Sequence, residues 1–354
     1  MSEHIVLDYG PVGASNVKRP KKVASSLSGV AQCGPWLWTA SDEGSTIERL
    51  RWLGDRYGDA QSFDLGRILQ LPNGDDELDL EGLALRNTTL WMIGSHSATR
   101  AKPDAKPDGR DGECDLLSGQ IERLARIEPR PRRRLLARLD LTADGSAPVQ
   151  EGGLCLPFGA ARRGLHALLE GDPHLAPFLA LPAKENGLDI EGIAAGPSTI
   201  MVGLRGPVLR GEYAVILELR LDVHEGHLRA RTFGDNGPRY RKHFVELDGC
   251  GVRDLHAVGD DLVILAGPTM GDAGPIFCRV WPKALAGGGT GDSFVAAHAL
   301  QEGPPIHRQR AGNPEAISHI VHPDGRRGWI VLRDYPDRPK DAERGIDQAD
   351  FIPI

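Results

Sequence analysis

Two glutamates stand in the same phrase roughly 110 residues apart: Asp79-Leu80-Glu81-Gly82-Leu83-Ala84 and Asp189-Ile190-Glu191-Gly192-Ile193-Ala194. Weaker copies of the phrase bring Ser28, Asp254 and Glu315 to the corresponding place. Carboxylates that recur in this way can do one of three things if the fold makes them converge. Glu81, Glu191, Asp254 and Glu315 could hold calcium or magnesium, since hard cations collect carboxylate oxygens. A crowded carboxyl such as Glu81 or Glu191 could keep its proton and serve as a general acid or base. Each could instead accept amide hydrogen bonds from its neighbouring unit and pin the repeat. Sequence alone leaves the three open, and repetition favours the structural use.

A second set of chemically able residues follows each phrase. These are Asp42 and Glu43, Ser95 and His96, Arg205, Thr269, and Arg333 and Asp334. They differ from copy to copy, so they carry more information than the shared scaffold. His96 is a candidate proton carrier. Arg205, Arg253 and Arg333 offer planar forks suited to carboxylate or phosphate, with Thr269 beside them as a substrate-binding hydroxyl. A salt bridge to the recurring carboxylates is the competing use of each arginine. The run Arg130-Pro131-Arg132-Arg133-Arg134 reads as a solvated turn.

Short strands must position these groups. Every copy precedes an apolar run, such as Leu90-Trp91-Met92-Ile93, Ile200-Met201-Val202 or Leu262-Val263-Ile264-Leu265, and more strand material follows. The copies recur at intervals of roughly 53, 110, 62 and 61 residues, which suits four-stranded propeller blades with insertions. The expected fold is an all-β propeller of five or six four-stranded blades in a single domain, 1–354. A loop insertion at 98–116, its Ala98–Gly112 stretch read as mobile, and a helical insertion at 157–180 fill the long interval. Ala161, Leu165, Leu168 and Leu169 form the apolar face of that helix. Ile5–Tyr9 and Phe351–Ile354 are suited to closing the ring, which leaves no edge strand exposed. In a propeller, the residues that open first strands and close second strands meet at one mouth.

Composition narrows the classes. The net charge of −7 over 354 residues argues against a general nucleic-acid binder. The five cysteines are scattered without a Cys-x-x-Cys pair, so neither a disulfide framework nor a zinc site is expected. No signal-like core and no run of transmembrane length is visible, and a cytoplasmic protein without membrane contact is expected. Phosphate-loop, nucleophile-elbow and His-Glu-x-x-His motifs are absent from the sequence.

Several strings together resemble a bacterial propeller-like family, domain of unknown function 3616. They are Asp79–Ala84 with Ile93–Ser97, Lys184–Gly192, Leu204–Gly211 and Leu265–Met270. The resemblance implies the propeller and no activity. The Asp-x-Glu-Gly-x-Ala phrase is also similar, more distantly, to that of phytase-like esterase propellers. The resulting functional expectation is a central funnel for a small polar or anionic ligand, with or without a divalent cation. Its enzymatic form is hydrolysis of an ester, phosphoester or lactone, with Glu81 and Glu191 as base or metal ligands and His96 moving protons. The alternative is a non-catalytic platform that holds a protein partner through its rim loops.

Overall fold

The computed structural model describes residues 3–10, 23–24, 26–72, 77–101, 113–157, 164–270, 274–289, 291–306, 312–334 and 345–354. The protein is a β-propeller. Among the described residues, five groups of four antiparallel strands can be traced.

Blade one runs Leu27–Cys33, Trp36–Ser41, Thr46–Trp52 and Tyr57–Asp64. Blade two runs Leu80–Arg86, Thr89–Gly94, Leu136–Leu141 and Pro148–Cys155. Blade three contains Asp189–Ala195, Ile200–Gly206, Tyr213–Leu219 and Tyr240–Glu246, with Ser293–Val295 added in parallel at its edge. Blade four contains Gly251–Val258, Asp261–Gly267, Phe277–Trp281 and Gln301–Glu302. Blade five takes Asn313–Val321, Arg327–Asp334 and Ile346–Pro353 from the C-terminal end and Glu3–Asp8 from the N-terminal end.

The first strands of the five blades neighbour one another in cyclic order, so they form the inner wall. Glu3–Asp8 closes the ring by pairing antiparallel with Ile346–Pro353 over six residue pairs. It also touches blade one through Leu7 and Tyr57. Ile5, Leu7 and Tyr9 are buried there with Leu27, Leu50 and Phe351.

The core lies between sheets, which explains why second strands are apolar on both faces. Trp38, Ala40 and Ile47 of blade one pack against Leu83, Met92 and Ala137 of blade two. A strand covered on both sides reads as a continuous hydrophobic run rather than an alternating one.

The long interval is filled by insertions within blade two and after it. Ala98–Arg100 pairs with Ile127–Pro129, and a helix spans Glu113–Ala125 between them. The loop expected over 98–116 is thus in part a strand and in part the start of a helix, while 102–112 lies outside the described residues. The lysine-, proline- and glycine-rich lead-in obscures this helix in the sequence. In the second insertion, Leu165–Leu169 is helical and Ala176–Phe178 forms a 3-10 turn. Leu165 and Leu169 are buried as the apolar face requires; Ala161 lies outside the described residues.

Candidate functional site

The same local distortion occurs at the start of each inner strand. Pairing between first and second strands skips one residue: Ser28, Glu81, Glu191, Arg253 and Glu315 in blades one to five. Such a bulge re-aims one side chain out of the regular alternation. All five skipped residues line one cavity of about 560 Å³. The glycine after the bulge has its own cause. A Cβ on Gly82 would lie 3.1 Å from the Glu191 carbonyl oxygen, and one on Gly192 would lie 3.0 Å from the Leu255 amide nitrogen. Inner strands of adjacent blades therefore meet backbone to backbone, and the Glu-Gly pair is a bulge residue followed by that close approach.

The cavity is strongly acidic. Among the described residues that line it, ten are Asp or Glu and five are Lys or Arg. The arginines among them are already occupied. Arg205 lies between Asp189 and Glu191. Arg253 binds Glu315, with Glu191 3.7 Å from its Nε. Arg133 lies 2.8 Å from Asp79, which also accepts the Ser95 hydroxyl. Arg100 holds Glu185. Glu81 differs: it has no hydrogen-bond or ion-pair partner among the described residues.

Burial and mutual repulsion keep protons on this ring. Burial is the largest cause that lifts Glu81 well above the usual carboxylate range, followed by the charges of Asp79, Glu191, Asp42 and Asp189. Asp42 is pushed up to about 8 by burial and then by Asp79, Asp334, Glu43 and Glu315. Asp189 and Glu315 rise to about 7, mainly through burial, while Arg205 and Arg253 respectively pull them back. A carboxyl that keeps its proton can donate it, so this mouth is suited to acid–base chemistry.

Residues 26–350 match the family described as "Protein of unknown function (DUF3616)". The chain belongs to that family. Among solved structures, a nidogen/laminin complex aligns over 94% of this chain and 86% of its own, at 12% identity and a TM-score of 0.37. The β-propeller domain of Cps50 (Swd1) from Myceliophteria thermophila aligns over 93% of this chain and 83% of its own, at 10% identity and a TM-score of 0.31. A glucose dehydrogenase aligns over 94% and 81%, at 10% identity and a TM-score of 0.32. No curated protein matches the chain.

In this DUF3616 propeller the expected site residues separate into two groups. Glu81, Glu191, Glu315, Arg205 and Arg253 meet in the cavity, joined by Ser28, Asp42, Glu43 and Asp334. Asp254, His96, Arg333 and Thr269 do not line it.

Asp254 corrects the register expected for blade four. The bulge residue there is Arg253, and Asp254 stands where blades two and three have glycine. Its buried carboxylate accepts the amides of Leu255 and Ile317, both at 2.7 Å, and so pins blade five to blade four. The structural reading of the repeated carboxylates thus holds here, while Glu81, Glu191 and Glu315 face the cavity instead. Of the four residues expected to hold a metal, Glu81, Glu191 and Glu315 line the cavity and Asp254 does not, and Arg253 stands with both Glu191 and Glu315. Among the described residues, no group of three or more His, Cys, Asp or Glu could hold a metal ion.

His96 is buried, in a left-handed conformation (φ 57°), with its Nδ1 donating to the Gly94 carbonyl at 2.9 Å. Burial pushes its pKa down to about 3, so the ring is neutral. Arg333 is fixed by two bonds to Asp350, at 3.0 and 2.9 Å, and one to Gly312. Thr269 follows blade four's second strand; the loop beyond it, 271–273, is outside the described residues. Sequence reasoning missed Arg133, hidden in what reads as a solvated basic turn, and the pairing duty of Asp79 and Asp189. The Asp in the repeated phrase was the available signal for the latter.

Proposed function

We propose that the propeller mouth binds a small polar ligand, neutral or positively charged, and acts on it by proton transfer from Glu81. The observation that carries this reading is the Glu81 carboxyl, without a hydrogen-bond or ion-pair partner among the described residues, lining a cavity whose arginines are engaged by other carboxylates. The anionic ligand expected from Arg205 and Arg253 is disfavoured, since binding it would mean breaking buried ion pairs, at a cost of about 3–5 kcal/mol each. Hydroxyls and ammonium groups suit an acidic lining better. In enzymatic form, water adds to an ester or lactone carbonyl, Glu81 protonates the departing oxygen as the acyl–oxygen bond breaks, and the proton shed by the added water returns the Glu81 carboxylate to its acid form. Glu191, clamped by two arginines, supplies part of the negative field that keeps the Glu81 proton in place.

Calorimetric titration with a polyol series, an amine series and citrate tests the ligand class. Polyols or amines saturate and citrate does not; saturation by citrate alone overturns the proposal. For catalysis, Glu81→Gln lowers turnover of a chromogenic ester or lactone by about 10²–10⁴-fold, the usual worth of a general acid. Turnover equal to wild type removes Glu81 from the mechanism.

A further inference from the structure

A second cavity, of about 250 Å³, has the opposite character. It is lined by Arg86, Asn87, Thr89, Trp91 and Arg138, and by the Gly196–Ile200 turn with Leu221. Among the described residues, no acidic side chain lines it. Arg86 closes the inner strand of blade two that Leu80 and Glu81 open. Arg86 lies five residue steps along the strand from Glu81, about 16 Å at 3.3 Å per residue, so the two cavities lie at opposite ends of the inner wall.

Its two cations are under-used. Arg86 has no ion-pair or hydrogen-bond partner among the described residues. Among the described residues Arg138 has a single loose ion pair, 3.8 Å to Asp140, and that carboxylate also accepts the Thr89 hydroxyl at 2.9 Å. The Arg138 Nε is buried without a hydrogen-bond partner. A buried donor left unsatisfied costs free energy unless something fills the place. The Arg138 guanidinium lies 5.9 Å from the Trp91 ring centroid, which gives the pocket an aromatic wall. Two tight turns frame it. Asn87 takes a left-handed φ of 53°, and the amide of Gly196 bonds the Thr199 carbonyl at 2.8 Å.

We infer that this pocket between blades two and three binds a small oxyanion, the carboxylate or phosphate group of a compact metabolite, gripped by Arg86 and Arg138 against Trp91. The planar forks supply paired donors to such oxygens, and exposed Ser198 and buried Thr199 also line the pocket. The volume limits the ligand to a few heavy atoms beyond its anionic group.

The test titrates the full chain with inorganic phosphate and, separately, with succinate, following heat and tryptophan fluorescence. One or both anions saturate, Arg86→Gln and Arg138→Gln each weaken binding at least tenfold, and affinity falls as salt rises. Phosphate alone saturating assigns a phosphate ligand, and succinate alone a carboxylate. Should Arg138→Gln fail to fold, Arg86→Gln decides, because its side chain holds no hydrogen bond or ion pair among the described residues. Failure of both anions to saturate, or equal affinity in wild type and Arg86→Gln, overturns the inference.

Discussion

At the residue scale, the cavity works because carboxyls and arginines are counted unequally. Glu191 and Arg253 are both drawn on twice: Arg205 and Arg253 flank Glu191, and Glu191 and Glu315 flank Arg253. Asp42 and Glu81 are left to hold protons. For Asp42 this fixes a pH dependence. Its folded pKa, about 8, stands above the unfolded value near 3.8. Between those values the folded chain binds the extra proton, so stability falls as pH rises through that window. The slope is at most about 1.4 kcal/mol per pH unit. Urea unfolding at several pH values between 4 and 8 should show Asp42→Asn losing less stability than wild type; parallel curves would remove Asp42 from the account.

At the scale of elements, the inner strand is a bulge, a close approach and then a regular ladder. The strongly conserved wording within the chain, Asp-x-Glu-Gly in blades two and three, made two of these strands legible from sequence. Blade four was not legible in the same way. There Arg253-Asp254 occupies the place of Glu-Gly, and an acidic residue next to the bulge is easily taken for the bulge itself. Only the pairing register separates the side chain that enters the cavity from the one that binds the next blade. The ring-closing strand was readable from Ile5, Leu7 and Tyr9 and its partner from Phe351–Ile354, whereas the extension of that partner back to Ile346 was not. Deleting residues 1–8 removes the buried Ile5 and Leu7 side chains, at about 1.5–3 kcal/mol each, and bares the edge of Ile346–Pro353. The expected outcome is a loss of about 3–6 kcal/mol in denaturant unfolding, with association on size-exclusion chromatography. An unchanged midpoint and a monomeric profile would contradict the closure role.

At the scale of the whole molecule, the repeat supplies the scaffold and the departures from it supply the chemistry. Five blades each deliver one bulge residue to the mouth, and those residues are Ser, Glu, Glu, Arg and Glu. Two of the expected residues lie away from the cavity for the same reason. His96 and Arg333 sit at ends of second strands, where side chains are taken up by backbone carbonyls and by Asp350 before they reach the mouth. The field that lifts Glu81 is a collective property, since Asp42 comes from blade one, Asp79 from blade two and Asp189 and Glu191 from blade three. The most direct measurement of the account is therefore the protonation state of that one carboxyl. Carbon-13 NMR of glutamate-labelled protein, with the Glu81 signal assigned by its disappearance in Glu81→Gln, reports it across pH. The account predicts a Glu81 resonance that stays protonated well above the usual glutamate range and shifts when a polyol or amine fills the cavity. A signal that titrates near 4.5, as in an exposed glutamate, and ignores added ligand would contradict it.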